Sequence, residues 1–443
     1  MPLPPTAPHT GAGVLLAHGI GGRQDLPISG FYAYAGAFAA LFVSFLALGL
    51  LWPTPRFAGA TAGRALPAVL QRALDGRPLR RTLRVLGLAA ALFVAAHLLL
   101  GPDDPDRNPA PGAVYVLLWV GLVPASLLLG PVWRPLNPLR ALHAAGCRLL
   151  HRDIHAGRPL PGGLGYWPAA AGLFAFTWLE LASPEPASRT TLLTFLACYT
   201  AVQLACAARY GARWFDRGDA FETYSALLGH LSPLGRRPGD RRIVLRNPFH
   251  SLDAVPAAPG LAATVCVMLG STAYDGFSAA PWWINTLQTS SLGRTGAATA
   301  GLATACLLVA VLYTACAHAA RLISRGDQLT TRPVPAFAHS LLPIATGYLI
   351  AHYFSLLATE APRTVTIAWG TDNPAPPADP LSPAGLATLQ VTAIVTGHVL
   401  GVIAAHDRSV HLFPPARALT GQIPLLILMI CYTTGGLTLL LQT

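Results

Sequence analysis

Ten predominantly apolar runs recur along this 443-residue chain, each close to the roughly 17–25 residues a helix needs to cross hydrocarbon. They cover Phe31–Leu51, Val85–Leu100, Ala113–Trp133, Tyr166–Leu181, Thr190–Ala208, Leu261–Phe277, Gly296–Ala320, Ala336–Leu357, Ala384–His406 and Gln422–Leu441. Clusters of Pro and Gly separate them, as in GPDDPDRNPAPG after the second run and DNPAPPADPLSP after the eighth. Only 11% of the residues are charged, against about 25% in ordinary soluble domains. The expected fold is therefore all-α: a polytopic transmembrane helix bundle of ten spans, forming one domain over residues 31–443.

Orientation follows from arginine, because the chain has 30 basic residues and none is Lys. Loops 52–84, 134–165, 209–260, 321–335 and 407–421 hold 25 of the arginines. The alternate side holds five: Arg23, Arg107, Arg189, Arg294 and Arg363. Basic residues gather in cytoplasmic loops, so both termini are expected outside and residues 1–30 form an extracytoplasmic segment. That segment lacks the basic start of a secretory signal. The net charge of +11 is thereby explained by topology, and nucleic acid is not an expected partner; the lipid bilayer is. The expected setting is a cytoplasmic (inner) membrane. The long Arg-rich loop 209–260 is expected to meet anionic lipid heads, with a surface helix near Asp219–His230. Six of the seven cysteines lie in apolar runs and one in an Arg-rich loop, so no disulfide framework is expected.

An ionisable side chain inside hydrocarbon is expensive and marks a candidate site. Once each helix has a direction, a rise of 1.5 Å per residue gives every such group a height. His97 lies roughly 18 Å above the inner boundary, Glu180 and Asp275 roughly 21 Å, and His352 roughly 24 Å. Two histidines and two carboxylates in one outer layer make a candidate metal set for zinc, manganese or iron. Haem held by His97 and His352 is the alternative. His398 sits roughly 12 Å below His352 and belongs with His339, His406 and Asp407 in a separate inner group, with His318 near it.

HGIGGRQDLP before the first run, GPVWRPLNPLRAL, LGSTAYDGFSAAPWW, YLIAHYFSLL and GHVLGVIAAHDRSV resemble blocks of a bacterial membrane family called fenitrothion hydrolase. The resemblance implies hydrolysis of an organophosphorus ester. A divalent metal would activate water on Asp275 and His352, with His97 or Glu180 completing the shell or acting as general base. The resemblance also brings in an outer segment in which Arg23, flanked by His18 and Asp25, would meet a phosphoryl oxygen. A transporter of two inverted five-helix halves is the rival expectation, with Pro124 and Pro343 at matching positions in the third and eighth runs. A haem- or metal-linked redox subunit is the third.

Overall fold

A computed structural model of the protein describes residues 30–237, 239–324, 333–372, 374–375 and 377–442. The principal helices are α1 (Gly30–Leu51), α2 (Ala68–Leu74), α3 (Arg77–Leu100), α4 (Pro109–Leu129), α5 (Pro138–Leu149), α6 (Trp167–Leu181), α7 (Arg189–Tyr210) and α8 (Ala220–Gly229). They continue as α9 (Pro248–Asp253), α10 (Leu261–Ser278), α11 (Pro281–Thr289), α12 (Gly293–Ser324), α13 (Leu341–Ala368), α14 (Pro383–Leu412) and α15 (Ile423–Gln442). Among the described residues eight helical stretches are long and apolar enough to cross a membrane. Helices α6 and α10, of 15 and 18 residues, occupy the fourth and sixth apolar runs and are not among those eight. The all-α bundle expected from the apolar runs is what forms. The strands β1 (Arg64–Ala65), β2 (Leu234–Arg236) and β3 (Ile243–Leu245) make one small antiparallel sheet in the order β1-β3-β2.

One local device starts several helices. At Asn108-Pro109, Asn137-Pro138 and Asn247-Pro248 the Asn oxygen accepts the N–H two residues ahead. The Pro that follows occupies a position needing no donor and already has helical φ. Ser382-Pro383 uses the same logic at α14.

Burial then sorts the helices. Of α3 only Gly87 and Leu98 are buried, while Val85, Leu92, Leu99 and Leu100 face outward. An apolar face of that size belongs against lipid rather than water. Helices α10 and α13 are the opposite, buried along most of their length. Helix α13 packs on α14, α10 and α4, and α10 also packs on α6 and α12. Between α13 and α14 the backbones touch. A Cβ on Gly347 would fall 2.5 Å from the Ala393 carbonyl oxygen, and one on Gly397 would fall 2.6 Å from that of Pro343.

Two features depart from the sequence reading. Residues 113–120 of α4 are wound as a π-helix, and the Gly121 amide reaches the Val116 carbonyl at 2.8 Å, five residues back. Helix α8 is no surface helix. Nine of its ten residues are buried, packed on α6 and the end of α4. Its sequence AFETYSALLG carries one charge, Glu222, and that charge is paired internally, so nothing on the helix requires water.

Candidate buried charge centre

Helix α13 brings His352 and Tyr353 to face Asp275 of α10. His352 Nε2 lies 2.7 Å from Asp275 Oδ2, and the Tyr353 hydroxyl donates to the same oxygen at 3.0 Å. The imidazole and phenol rings meet edge to face, 4.7 Å apart. Glu180 of α6 lies within electrostatic reach of Asp275 and Tyr353. The centre is closed: relative exposures are 3% for Asp275, 6% for His352, 2% for Tyr353 and 3% for Glu180.

Not every polar atom there is satisfied. Asp275 Oδ1, Glu180 Oε2 and the Tyr224 hydroxyl are buried without a hydrogen-bond partner among the described residues, while the Trp119 side chain hydrogen-bonds to Tyr353. Trp119 belongs to the π-wound stretch of α4, and its indole stacks on Tyr224 of α8 at 4.5 Å. Tyr224 in turn lies within electrostatic reach of Glu180. A buried polar group without a partner is unfavourable, and three around one centre single it out as the candidate site.

The four residues expected in one outer layer divide. Asp275 and His352 are hydrogen bonded, and Glu180 is their neighbour. His97 is elsewhere engaged: its Nδ1 bonds to the Phe93 carbonyl at 2.9 Å, and its ring lies 4.2 Å from that of Phe93. Among the described residues no three His, Cys, Asp or Glu side chains gather as a metal site. His352 Nε2 already faces Asp275, so the side chains present do not fit the expected divalent ion. His18, Arg23 and Asp25 lie outside the described residues.

The inner group also divides. His406 Nε2 lies 3.0 Å from the Trp52 carbonyl oxygen, and its Nδ1 lies 3.0 Å from Gln422 Nε2. Asp407 Oδ1 accepts from Trp52 Nε1 at 3.0 Å and from the Arg56 amide at 2.7 Å. These two residues fasten the C-terminal end of α1 to α14. His398 Nδ1 bonds to the Ile394 carbonyl at 2.9 Å, while its Nε2 is buried without a partner. His339 is buried and bonds backbone at Ala404 and Ala336. His318 is exposed on α12.

A second charge network, which sequence reasoning did not find, joins α5 to α8 and the residues before it. Arg140 of α5 grips Glu222 through Nε and Nη2, both at 2.6 Å, and reaches Asp216 at 2.6 Å. Asn137 donates to Asp219 at 2.9 Å and to Glu222 at 3.0 Å. Asp219 caps α8 by accepting the Phe221 and Glu222 amides, and it takes the Tyr199 hydroxyl at 3.1 Å. Burial pushes the Asp219 carboxyl up to about 6, against the backbone and side-chain donors that favour its charge. The available signal was an acid pair, Asp219 just before and Glu222 within a decapeptide that has no other charge. For Tyr353 the signal was a phenol directly after a membrane histidine. The chain was compared with protein-family models, curated proteins and solved structures and matches none of them, so its function is argued from this geometry.

Proposed function

We propose that the protein is a proton-handling carrier of the bacterial inner membrane, crossing it ten times with both termini outside. The arginine distribution supports that topology, with α6 and α10 supplying the two crossings beyond the eight long helices. The observation that carries the function is the Asp275–His352–Tyr353 unit, buried between α10 and α13 with Glu180 beside it. A carboxylate–imidazole pair takes up one proton and passes from net negative to neutral, which is how intramembrane relays in pumps and transporters work. The neighbouring unpartnered carboxylate gives that proton a second station.

One observation favours a second reading. An imidazole oriented by a carboxylate is also a general base for hydrolysis, and both residues lie in phrases resembling the fenitrothion hydrolase family. Closure favours the carrier: a phosphotriester must come within hydrogen-bond reach of His352, which is buried, whereas a proton needs only rearranging hydrogen bonds.

The two are separated by applying a pH jump to proteoliposomes on a solid-supported membrane. Charge displacement should appear in the wild type and vanish in Asp275→Asn. Steady nitrophenol release from fenitrothion, lost in His352→Ala and unaccompanied by charge displacement, would establish the hydrolase instead. Stoichiometric zinc, manganese or iron that disappears with His352→Ala, or a Soret band, would overturn the metal-free carrier.

A further inference from the structure

We infer that a groove along α14, open to the membrane, is a binding site for a lipophilic acyl ester drawn from the bilayer. The groove has a volume of about 780 Å³ and runs between α13 and α14, bounded by Thr346, Gly347 and Ile350 on one side and Thr392 and Thr396 on the other. Phe249 of α9 also lines it. That volume lies in the range of roughly 300–1,000 Å³ typical of small-molecule sites. From Gly385 to Leu400 the wall on α14 extends about 22 Å, most of the roughly 30 Å thickness of the hydrocarbon.

Two observations identify the occupant. The first is location. Helix α14 is one of the eight long apolar helices, so the open side of the groove along its span faces lipid chains. Whatever enters must dissolve in hydrocarbon.

The second is a pair of hydroxyls. Thr346 and Thr388 return theirs to the carbonyls of Leu342 and Ala384 at 2.8 and 2.7 Å, as threonines in helices commonly do. Thr392 and Thr396, one turn apart, are exposed within the groove, and neither hydroxyl has a hydrogen-bond partner among the described residues. A hydroxyl left bare in hydrocarbon is unfavourable, and an alkyl chain offers it nothing. A carbonyl acceptor does. Thr392 stands roughly 12 Å inside the outer end of the α14 span, deeper than the interfacial esters of resting lipid. An ester held there has left the ordinary lipid shell.

The groove requires only that α14 cross the membrane and does not depend on the proton centre. It can be tested on the full-length protein in proteoliposomes with two diazirine probes of equal chain length, an alkane and a fatty-acid methyl ester. After irradiation, adducts are mapped by peptide mass spectrometry. The ester should label residues 343–350 and 385–400 at least fivefold more than the lipid-facing stretch 85–100. The Thr392→Val/Thr396→Val pair should cut that excess three- to tenfold and leave alkane labelling unchanged, while Thr392→Trp should block both probes in the groove. Labelling of 85–100 serves as the internal control for folding. Equal ester labelling of the groove and of 85–100, or an excess that survives the Val pair, would reduce the groove to ordinary lipid contact. Asp275→Asn should keep the labelling while losing the pH-jump current, so either conclusion can fail without the other.

Discussion

Replacing Asp275 by Ala removes the one oxygen that serves two buried donors, His352 Nε2 at 2.7 Å and the Tyr353 hydroxyl at 3.0 Å. Each buried group left without a partner costs about 1–3 kcal/mol. The substitution should therefore destabilise the bundle by about 2–6 kcal/mol, since both orphaned donors are buried. Asp275→Asn keeps one acceptor and the same shape, so about 1–3 kcal/mol is expected. Side-chain hydrogen bonds inside membrane proteins couple by only about 0.6 kcal/mol on average and at most about 1.7. A double-mutant cycle between Asp275→Ala and Tyr353→Phe should fall in that range, with most of the single-mutant loss coming from orphaned donors. The control is Asp372→Ala, whose partner Arg107 lies 3.2 Å away with both side chains more than half exposed; such pairs contribute about 0–1 kcal/mol. Unfolding in mixed micelles titrated with dodecyl sulfate, followed by circular dichroism, measures all five variants. If Asp275→Ala unfolds within about 0.5 kcal/mol of Asp372→Ala, a spread expected of neutral surface changes, the centre is solvated and the reasoning fails.

The second charge network yields two more expectations. Arg140→Ala leaves Glu222, 3% exposed, with only the exposed Arg134 at 3.6 Å as its cation. Breaking a buried pair this way costs about 3–5 kcal/mol, so the same titration should show a loss of that order, partly recovered in Arg140→Met/Glu222→Met. For Asp219, a folded value of about 6 against 3.8 means that the folded protein holds the proton between pH 4 and 6 while the unfolded chain releases it. Stability should then fall by roughly 3 kcal/mol as pH rises through that window. Asp219→Asn, which still caps α8, should flatten this slope, and an unchanged slope in the variant would assign it to another group.

What the sequence disclosed and what it hid follow from the same physics. Crossing hydrocarbon demands length and apolarity, so the helices of the bundle are written in the chain. Height is also written there, because rise per residue is fixed, and that is why Asp275 and His352 could be set in one layer. Azimuth is not: His97 shares their height and lies against Phe93 on a helix that is mostly turned to lipid. Helix α8 escaped because ten residues are too few to span, and its arginine-rich surroundings suggested a surface. Its charge is satisfied by Arg140, 82 positions earlier, and no local pattern reports such a pairing. The π-wound turn that places Trp119 against Tyr224 likewise has no counterpart in hydropathy.

The glycine crossing between α13 and α14 limits how the molecule can move. With Gly347 against the Ala393 carbonyl and Gly397 against that of Pro343, neither helix can slide or roll on the other without driving a side chain into backbone. The pair behaves as one lever. Any large motion of α13 must then shear against α10, and the joint that parts in such a stroke is the hydrogen bond between His352 and Asp275.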